Sequence, residues 1–214
     1  QERFRPRPGA RAVPGRIMTT ASADVPLKGL VPLLEAVAKL RTERPEAHLV
    51  VVGRLRRDSP VARAIDRLGL AAGVRFVGGV SDEGLVELYG EAEVAVVPSL
   101  YEGFSLPAVE AMASGTPLVA TTGGALPEVV GPDGGAGLLV APNDPAALAA
   151  AVGRVLSSPE LAARLGAEGR RRVLERFTWR ACAAATADHY RWAVERRAAR
   201  SPVGSLAAAV AASC

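Results

Sequence analysis

Short apolar runs alternate with amphipathic stretches along most of the chain. Arg16 to Ala21, His48 to Val52, Val74 to Val77, Val94 to Val97, Pro117 to Thr121 and Gly137 to Val140 are each brief and bounded by Gly, Pro, Ser or charged residues. Runs of this length without a polar alternate read as strands buried on both faces of a parallel sheet, and Val94-Ala95-Val96-Val97 is the plainest of them.

Helical periodicity fills the gaps. From Gly29 to Arg44 the residues Leu30, Leu33, Leu34, Val37 and Leu40 share one face, and Pro32 falls in the first turn, where its missing N–H is tolerated. Val61 to Leu70 predicts a second helix. Ser81 stands as an N-cap with Gly84 three residues on, and Asp82 and Glu83 suit the positive end of the helix that Leu85, Val86, Leu88 and Tyr89 pack. Another helix opens near Leu106, and a Gly-rich turn at Thr122-Gly123-Gly124 leads into the next. Asn143-Asp144-Pro145 caps Ala146 to Leu156. Pro159 to Arg176 and Thr178 to Arg197 follow, the last bearing Trp179, Tyr190 and Trp192. Strand and helix in strict alternation, joined by right-handed crossovers, predict an α/β fold: a Rossmann-like parallel sheet with helices on both faces.

Composition narrows this. The 214 residues are 49% apolar but only 4% aromatic, so the core is built from Ala, Val and Leu. At 22% charged the chain is globular, with length for one sizeable domain. The net charge of +4 comes mostly from arginines spread over helices, without the interleaved aromatics of a nucleic-acid surface. They read as solvated faces with some attraction to anionic ligands or lipid surfaces. Cys182 and Cys214 are too few for a disulfide framework or metal site. His48 and His189 have no Ser or Cys placed beside them and read as structural. No apolar run reaches membrane-spanning length. Residues 1–15 are Arg/Pro-rich, lack the apolar core of a signal peptide and read as a linker. Residues 16–200 form the domain, and 201–214 a disordered, low-complexity tail. The expected setting is cytoplasmic, with room for peripheral contact at the inner face of the membrane.

The chemistry gathers in one stretch, Tyr101-Glu102-Gly103-Phe104-Ser105-Leu106-Pro107-Ala108-Val109-Glu110. It leaves a buried strand, passes a Gly-containing loop and enters a helix. In open α/β sheets that corner is where ligands bind, outside the carboxyl ends of the strands. The free N–H groups of a first helical turn suit a diphosphate, and Gly103 admits a close backbone approach. Glu102 and Glu110 are expected to face one crevice. Ionised carboxylates accept hydrogen bonds from vicinal hydroxyls, so the implied ligand is a phosphate flanked by sugars. Lys28, at the start of the first helix, reaches an anion over the strand ends.

Glu102 and Glu110, with Gly103-Phe104 between them and Gly115-Thr116-Pro117-Leu118-Val119 after, closely resemble the E-x7-E motif of retaining GT-B glycosyltransferases, the nucleotide-sugar-dependent family 4. The resemblance runs from about Arg16 to Tyr190. It includes Lys28-Gly29, Val51-Val52-Gly53, Phe76-Val77-Gly78, Gly123-Gly124 with Pro127-Glu128, Gly137 to Pro142, and Phe177-Thr178-Trp179. It implies the carboxy-terminal, Rossmann-like half, which holds a nucleotide-diphosphate sugar. A missing amino-terminal half would hold the acceptor, whether glycan, lipid or small molecule. The implied reaction is hexosyl transfer with retention, in glycan biosynthesis, with no metal or other cofactor. Basic side chains and helix N-termini would stabilise the leaving diphosphate.

By the same resemblance Lys28 and Glu102 are the catalytic pair, with Lys28 on the diphosphate. Glu102 and the backbone of Gly103, Phe104, Ser105 and Leu106 would hold sugar and phosphate, Glu110 the ribose, and Gly79-Val80 would lie under the base. The isolated half is expected to bind donor but to turn over little. One position departs from the pattern: where the family carries an Arg six residues before the lysine, this chain has Ala21-Ser22. Arg54, at the neighbouring strand end, is the candidate substitute. A non-catalytic nucleotide-sugar-binding fragment or degenerate domain is the alternative. The spacing of Glu102 and Glu110 argues against a nucleotide-sugar epimerase of the same fold.

Overall fold

A computed structural model describes residues 3–7, 9, 11–21, 25–131 and 134–200, side chains of 198–200 excepted. The chain divides into two compact units, Gln1–Leu174 and Glu175–Cys214. The first contains six parallel strands: β1 (Arg16–Thr20), β2 (His48–Val52), β3 (Val74–Val77), β4 (Val94–Val97), β5 (Leu118–Thr121) and β6 (Leu138–Val140). Their order across the sheet is β3-β2-β1-β4-β5-β6, with Ile17 of β1 opposite Leu49 of β2 on one side and Val94 of β4 on the other. The direction of winding reverses between β1 and β4, which opens a crevice at their carboxyl ends.

The strands are apolar on both faces because both faces are covered. Ile17, Leu49, Val51, Val94, Val96 and Val119 join one core with α1 (Leu30–Glu43), α2 (Pro60–Arg67) and α6 (Pro145–Ser157). The alternate residues Met18, Val50, Ala95 and Ala120 are equally buried, on the side of α3 (Asp82–Glu91), α4 (Leu106–Ala113) and α5 (Leu126–Val130). All five face-forming residues expected of the first helix are buried. Every strand lies within a residue of its expected ends. Ser81 Oγ accepts from Gly84 N at 3.1 Å, and Asp144 Oδ1 accepts from Ala147 N at 2.9 Å, so both expected caps form. Ser59 caps α2 in the same manner and starts it at Pro60. Helix α7 (Pro159–Arg176) contains the boundary, and its residues to Leu174 belong to the first unit. In the second, α8 (Trp179–Arg200) leaves Trp179, Tyr190 and Trp192 exposed, with the Arg196 guanidinium 4.6 Å from the Trp192 ring centroid.

The segment read as a linker forms no regular element over its described residues, but it lies along α3. Arg3 pairs with Asp82, Arg7 with Glu87 at 2.6 Å, and the Phe4 ring stands edge-on to Tyr89. Ser22 and residues 201–214 lie outside the described residues.

The expected loop after β1 contains a single 3₁₀ turn, Pro26–Lys28, ended by Gly29 at φ +66°. Leu100 N donates to Leu27 O at 2.7 Å, which ties this turn to the loop after β4. A Cβ on Gly29 would lie 1.9 Å from Pro98 O, so only glycine permits both the left-handed conformation and the approach. Gly29→Ala is therefore expected to cost about 2–3 kcal/mol. Urea denaturation checks this, and an unchanged midpoint would show that the two loops can part without penalty.

Candidate functional site

The tie between the two loops sets Lys28 against Glu102. Lys28 Nζ donates to Glu102 Oε1 at 2.7 Å, and Ser99 Oγ donates to the same oxygen at 2.7 Å. The Glu102 side chain is 10% exposed and that of Lys28 32%. Among the described residues Oε2 has no partner. One carboxylate oxygen is thus fixed by the protein, and the other is left to accept a hydrogen bond from outside.

The Glu102 backbone is fixed as well. Its carbonyl accepts from Ala125 N at 2.8 Å, and a Cβ on Gly124 would lie 2.2 Å from that carbonyl oxygen. The Gly123-Gly124 turn is therefore a clamp on the glutamate loop. Thr121, fully buried at the end of β5, donates to Ser99 O and accepts from Gly123 N at 3.3 Å, so it ties the clamp to the strand end that carries Ser99.

Helix α4 begins without a side-chain cap, and Pro107 in its first turn has no N–H. Its N-cap residue, Ser105, is held at φ +78°, where a residue with a Cβ is strained. The Ser105 hydroxyl is buried and has no partner among the described residues. A Cβ on Gly103 would meet nothing within 4 Å, so the protein's own packing does not demand glycine there and open space faces its backbone. Phe104 and Leu106 are exposed beside it.

Glu110 belongs to a different cluster from Glu102. Tyr89 OH donates to Glu110 Oε2 at 3.2 Å, lies 3.3 Å from Pro107 O, and stands 3.3 Å from Thr20 Oγ1 at the end of β1. Each carboxylate has its own anchor to the carboxyl end of β1, Glu102 through Lys28 in the turn that follows it and Glu110 through Tyr89 and Thr20. Burial pushes the Glu110 carboxyl above its ordinary range, and the hydrogen bond from Tyr89 opposes the shift. Burial first, then the neighbouring Glu110, pushes the Tyr89 phenol upward, so it stays a neutral donor.

Arg54 follows β2 and leans toward β3: its Cγ lies 3.3 Å from where a Cβ on Gly78 would stand. It thus sits over the start of the Gly78-Gly79-Val80 loop, and among the described residues its guanidinium has no hydrogen-bond or ion-pair partner. The structure joins Lys28 to Glu102 directly, and places Arg54 with Gly79 and Val80 at the same sheet edge without contact to Lys28. Ser99, Thr121 and the anchoring role of Tyr89 escape sequence reasoning. Ser99 alone had a signal, a hydroxyl three residues before the loop glutamate. Among the described residues no three His, Cys, Asp or Glu converge as a metal site, and no helix is long and apolar enough to cross a membrane.

Residues 4–172 match the family model of the glycosyl transferases of group 1. The chain belongs to that family. It is 54% identical over 196 residues to the MMP alpha-(1->4)-mannosyltransferase of Mycolicibacterium hassiacum, covering 92% of this chain and 47% of that one. Among solved structures, sucrose-phosphate synthase from Thermosynechococcus elongatus superposes with a TM-score of 0.75 at 36% identity, over 91% of this chain and 51% of that one. An Anabaena protein solved in complex with UDP-glucose gives 0.69 at 25% identity, over 77% and 45%. The chain spans about half the length of the relatives it matches. Its fold is the carboxy-terminal domain of a GT-B glycosyltransferase.

Two expectations follow from the site itself. Ser105→Gly removes both the left-handed strain and an unpaired buried hydroxyl, so it should raise stability by about 1 kcal/mol; a lower urea midpoint would show that the hydroxyl has a role in the fold. For Glu110 the folded carboxyl binds its proton more tightly than the unfolded one. Its contribution is fully present below the ordinary carboxylate range and is lost as pH rises through the raised folded value. The wild type should therefore lose stability relative to Glu110→Gln as pH rises through and above the ordinary carboxylate range. Urea unfolding of both proteins across that range checks the sign; a difference independent of pH would mean that the group titrates alike in both states.

Proposed function

We propose that this domain holds a nucleotide-diphosphate sugar over the carboxyl ends of β1 and β4 and serves as the donor half of a retaining hexosyltransferase of family 4. The observation that carries this reading is the Lys28–Glu102–Ser99 cluster beside the uncapped start of α4. It offers a cation and backbone N–H groups for a diphosphate, and a pinned carboxylate for sugar hydroxyls. A mannosyltransferase at 54% identity and an Anabaena relative solved with UDP-glucose support the same ligand class.

In this reading Lys28 and the first-turn amides of α4 take up the charge that develops on the leaving diphosphate as the anomeric C–O bond breaks. Glu102, through its open oxygen, orients the donor sugar. The backbone from Gly103 to Leu106 borders the sugar and phosphate, Glu110 receives the ribose, and Gly79-Val80 underlies the base. No metal or other cofactor has a part in it. The acceptor, a glycan, lipid or small molecule, would be held by an amino-terminal half, which also excludes water from the cleft. The exposed Leu27, Tyr101, Phe104 and Leu106 at the sheet edge suit a wall that another domain completes. The setting we assign is cytoplasmic, the net positive charge suiting peripheral contact with an anionic membrane face.

A second reading, a binding module without turnover, is favoured by one position: Ala21-Ser22 stands where the family carries its arginine. The guanidinium of Arg54, without a partner among the described residues, is a candidate replacement at the same sheet edge. Titration of uridine and guanosine diphosphates should give binding that Lys28→Ala and Glu110→Ala each weaken about 10- to 100-fold, since a hydrogen bond to a charged group contributes about 1.5–3 kcal/mol. Arg54→Ala should weaken the diphosphate more than the monophosphate. Unchanged affinity in the Lys28 and Glu110 variants would remove the donor site. Robust sugar transfer by this chain alone would remove the need for another half.

A further inference from the structure

Tyr89 is 2% exposed, yet its hydroxyl is placed among three polar atoms from two separate elements. Thr20 Oγ1 closes β1, Pro107 O belongs to the first turn of α4, and Glu110 Oε2 stands one turn further on. The residue is held at both ends: Thr116 Oγ1 donates to the Tyr89 backbone carbonyl at 2.8 Å, and Phe4 stands edge-on to the ring at 6.2 Å between centroids. A phenylalanine would fill this space as well. The buried hydroxyl needs another reason.

A phenol has one proton to donate and two lone pairs. Once ionised, Glu110 is a far better acceptor than the Pro107 carbonyl, and in that state the proton points to the carboxylate. Thr20 then satisfies itself by donating to the phenol oxygen. The chain runs one way, from Thr20 to Tyr89 to Glu110, because an ionised carboxylate cannot donate. Its effect is to hold Oε2 while Oε1 has no partner among the described residues. Glu102 shows the same arrangement by other means, with Lys28 and Ser99 on one oxygen and the second open.

We propose that Tyr89 is a positioning residue for ribose recognition: its phenol, backed by Thr20, fixes Glu110 in the rotamer that presents its open oxygen to a vicinal diol. The inference rests on the donor-site reading above, and it adds a specificity-determining residue outside the ligand's own contacts. A helical glutamate without such a tie would spread over several rotamers, and ordering it would be charged against binding.

The experiment measures the affinities of uridine and guanosine diphosphates against their 2′-deoxy counterparts. The wild type should prefer the ribonucleotide about tenfold, one hydrogen bond to a charged acceptor. In Tyr89→Phe the preference should fall to about twofold or less, with deoxynucleotide affinity nearly unchanged. Adding Glu110→Gln to Tyr89→Phe should lower the ratio no further. A purely structural role would weaken both nucleotides alike and leave the ratio intact. An intact ratio in Tyr89→Phe overturns the proposal. Should that variant fail to fold, Thr20→Val decides: a ratio unchanged there overturns it too. A wild type that binds both nucleotides equally refutes the ribose role of Glu110 and this inference with it. No binding of either ribonucleotide refutes the donor site itself.

Discussion

A carboxylate sits almost dry in the loop after β4, and the geometry around it follows from compensating its charge. Glu102 keeps a tenth of its side chain in water. Burying a charge without a partner is costly. Lys28 and Ser99 meet one oxygen, which requires the loop after β1 to lie against the loop after β4 within a hydrogen bond. That requirement accounts for the 3₁₀ turn, the bond from Leu100 to Leu27, and a glycine at position 29 with Pro98 pressed against its missing side chain. Stripping one partner from a dry pair costs about 3–5 kcal/mol. Lys28 keeps 32% of its side chain in contact with water, so the value here falls below that range.

The start of α4 shows the opposite condition. Polar groups there lack partners among the described residues where a stability-driven design would supply them: a serine in the left-handed region, a buried hydroxyl unpaired, a helix end without a side-chain cap. Strain of this kind survives only where the surroundings over-determine it. The clamp of Gly124 and Ala125 on the Glu102 carbonyl supplies such surroundings. A compensated charge and, three residues on, donors without partners among the described residues make one loop that is rigid but unsaturated, which suits an anion with hydroxyls attached.

Much of the fold was legible because its signals are local. Val94 to Val97 and its sister runs announce buried strands by composition alone, and Ser81 and Asp144 act across three residues. The placement of Glu102, Glu110 and Lys28 at one sheet edge followed from the strand–loop–helix alternation and from the family motif. What was not legible depends on distance in sequence. Nothing near Tyr89 in the chain marks its hydroxyl for Glu110, 21 residues on, or for Thr20, 69 residues back. It read as a packing residue because its ring does pack. The segment before β1 read as a linker because arginine and proline build no regular element; its contacts are with α3, which local pattern cannot reveal. The separate anchors of the two glutamates needed the third dimension.

The winding reversal between β1 and β4 also governs the order in which the molecule can be assembled. Thr19 reaches Val96 across 77 residues of chain, and Lys28 reaches Glu102 across 74. On a chain emerging from the ribosome, β2 can pair with β1 and β3 early, but the other edge of β1 stays empty until α3 and β4 have been made. Closing so long a loop is entropically expensive and slow. The carboxyl ends of β1 and β4 therefore come together only after β4 is made, and an amino-terminal piece ending before Val97 would carry Lys28 with no Glu102 to meet it.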